Sequence, residues 1–263
     1  MDLSTVQNRL REIAELAIQH RSDYRTIRAD GFPTELHGYS EAEICLAVYK
    51  KALSPAFTRS QADYMEYLGE EVCPKIYTID KDSYCMEFLF PAIHHIDSLI
   101  VQERMLKNHV WIRDPTYMAK PTEMSWRKAL LTKISVDVPD WALEPISVIH
   151  GDPTCDNVLA TKDGHLRFID PIPPLWLNKP SIRAVDCGKM LQSFLGWEVV
   201  LRGVEPVQFA WPEFMRDFDS AKRAVFWAMV AIKRLIYRDI SDAVTLWAVQ
   251  VDKELVRICE HLS

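Results

Sequence analysis

The chain has 263 residues, of which 48% are hydrophobic and 26% are charged, a composition typical of a globular protein with one large core or two smaller lobes. Its net charge of −6 argues against nucleic acid as the main partner, because phosphate backbones bind basic surfaces. The six cysteines form no C-x-x-C pair, and we find neither a signal peptide nor an apolar run that could span a membrane, so we expect a cytoplasmic protein with reduced thiols and no zinc site.

The first third of the chain mixes helical and strand patterns. A capping box at Ser4–Gln7, followed by apolar residues at helical spacing, predicts a first amphipathic helix, and residues 24–29 are compatible with a strand. Residues 38–53 fit either a helix or a buried strand, because periodicity does not separate the two in a short apolar run. A helix and two strands are predicted next, over residues 60–71, 75–79 and 83–90.

The remainder of the chain is mostly helical. Helices are predicted over residues 96–113 and 123–136, and a hairpin over residues 157–169. Apolar residues at spacings of three and four predict two long helices at the C-terminal end. We place the join between two lobes just after Phe90, which gives an N-terminal lobe over residues 1–90 and a C-terminal lobe over residues 91–263.

One stretch carries most of the chemistry. Residues 150–157 read H-G-D-x-x-x-x-N, and Asp170 follows at the end of the predicted hairpin, which brings it to the same end as Asn157. In a kinase site, the acid of such a loop accepts the proton of the attacking hydroxyl, and the amide and the second acid bind Mg²⁺ through oxygen. Any one of these residues alone fits a turn or a cap, but the whole pattern between two apolar strands predicts a phosphoryl-transfer site with Asp152 as the base and Asn157 and Asp170 as metal ligands.

Three other residues near this stretch are interpreted as structural. His150 is expected to orient the loop through hydrogen bonds instead of acting as a base. Cys155 has no basic partner in the sequence and is expected to fill space as a small thiol. Asp186 either caps the next helix or braces the catalytic loop from below.

The nucleotide-binding half of the site is less well defined. Ser40, in Gly38-Tyr39-Ser40-Glu41-Ala42, can bind phosphates with its hydroxyl and the neighbouring N–H groups, or it can cap a helix. A phosphate-binding lysine is expected on the following strand, at Lys50 or Lys51, and we select Lys50. Its acidic partner on the next helix is left open between Asp63, Glu66 and Glu70. The backbones of Glu87 and Leu89 can meet an adenine edge, or the segment is a core strand.

Together, His150-Gly151-Asp152-x-x-x-x-Asn157, Phe168-Ile169-Asp170 and the serine-containing segment at Gly38–Ala42 resemble the aminoglycoside phosphotransferase and choline kinase group. The resemblance implies an α+β, protein-kinase-like fold with two lobes, a small β-containing N-lobe and a mostly helical C-lobe. It also implies transfer of the γ-phosphate of ATP, with Mg²⁺, to a hydroxyl of a small molecule such as an amino sugar, an amino alcohol or a nucleoside. It assigns Asp152 as the base and Asn157 and Asp170 as Mg²⁺ ligands.

The sequence departs from this group at two positions. Gln61 stands about where the helix glutamate of the group lies, and Asp170 is followed by Pro171. Two alternatives therefore stay open: a protein kinase or other transferase on the same scaffold, and a binding module that keeps the fold without turnover.

Overall fold

The computed structural model describes residues 1–21, 34–39, 45–51, 54–91, 123–177, 179–203, 211–238 and 240–262. The helices in these ranges are α1 Leu3–Gln19, α2 Pro55–Leu68, α3 Glu123–Ile134, α4 Pro174–Leu177, α5 Arg183–Phe194, α6 Trp197–Arg202, α7 Phe218–Ile236 and α8 Asp242–Leu262. The strands are β1 Thr34–Tyr39, β2 Cys45–Lys51, β3 Ile76–Ile79, β4 Ser83–Glu87, β5 Phe90–Pro91, β6 Val158–Ala160 and β7 Leu166–Phe168. None of these helices is both long enough and apolar enough to cross a membrane.

A small antiparallel sheet forms the first lobe, with strand order β1-β2-β4-β3. Strand β2 lies between β1 and β4, with Lys50 opposite Thr34 on one side and Tyr84 on the other. The strand alternative is therefore confirmed for residues 45–51, and the helix alternative is wrong there. Ser40 and residues 24–29, like the helix predicted over 96–113, lie outside the described residues.

Helix α2 covers this sheet and begins earlier than the sequence reading placed it. Ser54 caps its N-terminus by accepting a hydrogen bond from the Phe57 N–H, and Pro55 occupies the first turn, where its missing N–H costs nothing. The buried residues of α2 recur at helical spacing along one face: Thr58, Gln61, Ala62, Tyr64, Met65 and Leu68. The four apolar members of this face, Ala62, Tyr64, Met65 and Leu68, pack with Tyr84 and Met86 of β4 in a core of their own.

The hairpin of the catalytic region joins the small lobe. Strands β5, β6 and β7 form a second antiparallel sheet, in which Val158 pairs with Phe168 and Phe90 pairs with Ala160. The Phe168 N–H donates to the Val72 carbonyl at 2.7 Å, and the buried Phe168 ring belongs to the small-lobe core. This packing holds the end of β7, and with it Asp170, beside the first sheet.

The larger core is helical. Helices α5 and α7 approach closely at Gly188, where an added Cβ would lie 2.5 Å from the backbone of Trp227. Helix α1 packs in the same core through Leu10, Ile13 and Ala17, although the sequence reading placed it in the N-terminal lobe. Its N-cap is Asp2, which accepts from the Thr5 N–H at 2.8 Å, so the predicted capping box at Ser4–Gln7 is wrong.

Candidate active site

The catalytic loop turns sharply at Gly151. This residue has φ of +88°, in the left-handed region that side chains other than glycine rarely adopt. A Cβ added there would lie 2.8 Å from the carbonyl oxygen of Ile172. The Ile172 N–H donates to the His150 carbonyl at 2.8 Å, so the segment after Asp170 packs directly on the loop. The second position of the H-G-D motif therefore requires glycine for both conformation and space.

Asp152 lies at the end of this turn, with its two carboxylate oxygens facing different neighbours. Oδ2 lies 3.3 Å from Asn157 Nδ2, and Oδ1 pairs with Lys189 Nζ at 2.7 Å. Burial acts to raise the pKa of Asp152, but Lys189, together with Lys179 and His150, outweighs it, so the pKa is lowered overall. Asp152 is thus ionised at neutral pH, as a proton acceptor must be, and 31% of its side chain stays exposed to a reactant.

Asn157 and Asp170 are brought together by the backbone. The Ile169 N–H donates to the Asn157 carbonyl at 2.9 Å, which places the two predicted metal ligands side by side. Asn157 Nδ2 donates to the Asp152 carbonyl at 2.7 Å, so the side-chain oxygen of Asn157 is the atom that remains for a cation. Asp170 has φ of +60°, a left-handed conformation that aspartate tolerates better than most residues.

These oxygens suit a hard divalent cation. Mg²⁺ prefers a few carboxylate and amide oxygens together with the phosphate oxygens of its substrate, and Asp170 and Asn157 offer one of each type. The Asp170 carboxylate already attracts a cation, because it forms an ion pair with the Lys50 ammonium. The residues present therefore fit the metal that the sequence predicted.

Lys50 reaches this pair from the small lobe. It is buried on β2, opposite Tyr84, and its ion pair with Asp170 joins the first sheet to the segment after β7. The acids considered as its helix partner do not fill that role. Asp63 pairs with Arg59 at 3.3 Å, and the side chains of Glu66 and Glu70 are exposed.

Gln61 occupies the position on α2 where an acid was expected. It is buried, accepts a hydrogen bond from the Tyr84 hydroxyl at 3.0 Å and donates to the Pro171 carbonyl at 3.1 Å. The amide can do both because it carries an acceptor and a donor, whereas a carboxylate only accepts. Gln61 therefore ties α2 to β4 and to the residue after Asp170.

Asp186 braces the catalytic loop from below, as one of the two structural alternatives predicted. Its carboxylate accepts from the His150 N–H at 2.6 Å and from the Gly151 N–H at 2.8 Å. Burial raises the pKa of Asp186 to about 7, and the two N–H donors oppose that increase. The carboxylate satisfies two backbone groups that the sharp turn would otherwise leave buried and unpaired.

A second brace was missed by the sequence reading. The Cys155 N–H donates to Ser193 Oγ and to Glu198 Oε1, each at 3.1 Å, and Ser193 Oγ donates to Glu198 Oε1 at 2.6 Å. The sequence carried one indication of this brace. Asp186, Lys189 and Ser193 are spaced three and four positions apart, which places three polar side chains on the same face of α5.

His150 and Cys155 are buried, which agrees with their structural interpretation. Burial lowers the pKa of His150 to about 4, and its ring packs against Phe168 at 5.0 Å between centroids. Burial also raises the pKa of the Cys155 thiol well above its usual value, so it is not a thiolate nucleophile at neutral pH.

At the predicted adenine-binding segment, the Glu87 N–H donates to the Lys75 carbonyl at 2.8 Å. An adenine contact at Glu87 must therefore use its carbonyl, and Leu89 is buried. The nucleotide role of these two residues, like that of Lys50 and Ser40, stays a prediction.

Three features together define a protein-kinase-like fold. They are a small antiparallel sheet with one covering helix, a helical second part, and an acid–amide–acid site between the two.

No family model and no curated protein matches the sequence. Among solved structures, Plasmodium vivax ethanolamine kinase aligns with a TM-score of 0.51 at 9% identity, over 88% of this chain and 83% of that one. Choline kinase from Cryptosporidium parvum aligns with a TM-score of 0.48 at 11% identity, over 95% of this chain and 96% of that one. A choline/ethanolamine kinase family protein from Mesorhizobium loti aligns with a TM-score of 0.45 at 13% identity, over 95% of this chain and 94% of that one. The first of these likenesses confirms the predicted fold.

Proposed function

We propose that this protein is a phosphotransferase that uses ATP and Mg²⁺ to phosphorylate a hydroxyl of a small molecule. The observation that carries the proposal is the grouping of Asp152 and Asn157, which hydrogen-bond to each other, with Asp170, whose neighbour Ile169 donates its N–H to the Asn157 carbonyl. The known activity of Plasmodium vivax ethanolamine kinase, as its name gives it, is of the same class.

Asp152 is proposed to hold and deprotonate the acceptor. The acceptor oxygen forms a bond to the γ-phosphorus, the bond from that phosphorus to the bridging β-phosphate oxygen breaks, and the hydroxyl proton passes to the Asp152 carboxylate. Gly151 and Asp186 hold the loop so that this carboxylate does not have to reorganise during the reaction.

The opposite side of the site is proposed to hold the nucleotide. Asn157 and Asp170 would bind Mg²⁺, which neutralises charge on the phosphate oxygens when it is present. Lys50 is placed to exchange Asp170 for a phosphate oxygen of ATP, because its ammonium already lies at the metal-binding carboxylate. On this proposal Lys50 and Asp170 each gain a new partner when the nucleotide binds, the lysine a phosphate oxygen and the acid Mg²⁺.

A nucleotide titration tests the proposal. ATP binding measured by calorimetry is expected to need Mg²⁺, and D170N is expected to weaken it at least about tenfold, since it removes one charged ligand. D163N is the matched control, because Asp163 is an exposed carboxylate in the turn of the same hairpin. Failure of the wild-type protein to bind ATP at millimolar concentration would contradict the proposal. ATP binding without transfer to any hydroxyl compound would instead favour the binding-module alternative.

A further inference from the structure

We propose that the acceptor carries an anionic group, a carboxylate or a phosphate, which Lys179 and Lys189 bind beside Asp152. This inference rests on the proposed function, because it names the substrate class of the same site. It is independent of the net negative charge of the chain, since it concerns the charges that surround one carboxylate.

The first observation is a buried lysine that has no counter-ion among the residues that the structure describes. Lys179 follows α4 and is 6% exposed. Within the described part of the chain it forms neither a hydrogen bond nor an ion pair within 4 Å, and Asp152 lies close enough for the two charges to affect each other. A buried ammonium without an anionic partner is unfavourable, and a bound anion would remove that penalty.

The nearby acids are already engaged. Asp152 pairs with Lys189, and both carboxylate oxygens of Asp186 accept hydrogen bonds from backbone N–H groups. Glu198 accepts two hydrogen bonds, from a serine hydroxyl and a backbone N–H. None of these carboxylates is free to serve as the partner of Lys179.

Further positive charge surrounds Lys179. Burial lowers its pKa well below the usual lysine value, Arg234 and Lys189 lower it further, and the Asp152 and Asp186 carboxylates oppose the decrease. Arg234 belongs to α7, in the helical body of the protein. Lys189, which forms an ion pair with Asp152, and the buried Lys179 are therefore the two cationic side chains whose charges act on Asp152.

That side is the acceptor side. Asp152 directs Oδ2 toward Asn157, a proposed metal ligand, and Oδ1 toward Lys189. The residues proposed for the nucleotide phosphates and their Mg²⁺, Lys50 and Asp170, lie beside the small lobe. An anion held by Lys179 and Lys189 would thus belong to the molecule that presents its hydroxyl to Asp152.

This arrangement disfavours a cationic acceptor. An ammonium group bound between Lys179 and Lys189 would meet like charges. We therefore expect kcat/KM for hydroxy acids or phosphate-bearing alcohols to exceed that for ethanolamine or choline by at least about a hundredfold. The amino-alcohol acceptors predicted by family resemblance are the ones that this inference argues against.

Inorganic sulfate is the probe for the anion subsite. Wild-type protein is first saturated with Mg²⁺ and AMP-PNP, so that all three nucleotide phosphate positions are filled, and sulfate binding is then measured by calorimetry. We expect a Kd of about 1–10 mM. K179M should weaken sulfate binding at least about tenfold by removing one charged donor. K128M is the matched control, because Lys128 is an exposed lysine on α3.

Each outcome decides the inference. Sulfate binding that persists with AMP-PNP, and that K179M but not K128M loses, supports it. Sulfate binding only in the absence of AMP-PNP would assign the lysines to the transferred phosphate and overturn it, as would unchanged sulfate affinity in K179M. If K179M does not fold, K189M replaces it in the same titration, with thermal unfolding as the check on both variants. Failure to bind AMP-PNP contradicts the proposed function itself, whereas AMP-PNP binding without sulfate binding contradicts this inference alone.

Discussion

Lys50 on strand β2 and Asp170 after strand β7, 120 positions apart in the chain, form an ion pair that links the small sheet to the segment following β7. Both residues were predicted to serve the nucleotide, one through phosphate oxygens and one through Mg²⁺. Their direct contact brings the lysine predicted to bind phosphate next to the acid predicted to bind Mg²⁺, as binding of one nucleotide by both would require.

Replacing Lys50 should weaken the nucleotide side of the site without unfolding the protein. K50M keeps most of the buried aliphatic stem and removes the ammonium, so we expect ATP affinity or kcat to fall at least about tenfold, with little change in unfolding free energy. Steady-state kinetics and urea unfolding measure the two effects. K81M, at an exposed lysine between β3 and β4, is the control, and an equal loss in both variants would count against a phosphate-binding role for Lys50.

The glycine of the catalytic loop can be tested against a second glycine with similar backbone geometry. Gly151 and Gly164 have φ of +88° and +83°, but an added Cβ meets the Ile172 carbonyl only at Gly151. G164A should cost about 1 kcal/mol of unfolding free energy, the price of a left-handed alanine. G151A should cost about 2 kcal/mol or more and abolish turnover, because Ile172 has to move. Equal costs in urea unfolding would show that steric contact at the loop is unimportant.

Gln61 offers a test of the helix–loop connection. In Q61E a carboxylate oxygen would face the Pro171 carbonyl in place of the amide donor, so we expect a loss of about 2 kcal/mol in unfolding free energy. Q250E, at an exposed glutamine that contacts His20, should change stability far less. Stabilisation by Q61E would instead mean that the new acid pairs with Lys50, as the helix glutamate of the resembled group would.

Glu198 gives a prediction for the pH dependence of stability. Burial raises its folded-state pKa above the unfolded value of 4.5, and the Asp156 carboxylate adds to the increase. Between those two pKa values the folded state holds a proton that the unfolded state has released, so stability falls as pH rises, by about 1.4 kcal/mol per pH unit. Asp186, with its raised pKa, contributes with the same sign.

E198Q cannot titrate and should therefore flatten this fall between pH 4.5 and neutrality. Urea unfolding across that range measures the slope, with E15Q at an exposed glutamate of α1 as the control. An unchanged slope in E198Q would contradict the raised pKa. Only part of the slope should disappear, since Asp186 still titrates.

The sequence predicted the parts of the site that depend on local order. Asp152 and Asn157 lie five positions apart on one turn, and the hairpin returns Asp170 to the same place, so spacing alone was enough to group them. Strand β2 could not be told from a helix, because Cys45–Lys51 is a short apolar run whose structure is decided by pairing with β1 and β4.

Long-range pairing explains what the sequence did not reveal. The Lys189–Asp152 and Glu198–Cys155 contacts join a helix to a loop about 40 residues away, and nothing local encodes them. Helix α1 was assigned to the first lobe by its position in the chain, whereas its apolar face is buried by α8 and its neighbours. The start of α2 is encoded locally, because Ser54 is a cap followed by the first-turn proline Pro55. The prediction of a helix over residues 60–71 relied on the apolar spacing that follows and therefore began too late.

The most direct test of the central claim compares wild-type protein and D152N with γ-labelled ATP, Mg²⁺ and a panel of hydroxyl compounds that includes hydroxy acids, sugar phosphates and amino alcohols. We predict that the wild type transfers the label to a small-molecule hydroxyl. D152N should bind ATP with unchanged affinity but transfer at least about a hundredfold more slowly, because the proton acceptor is gone. Wild-type transfer rates in D152N, or no transfer by a wild-type protein that binds Mg²⁺ and ATP, would contradict the account.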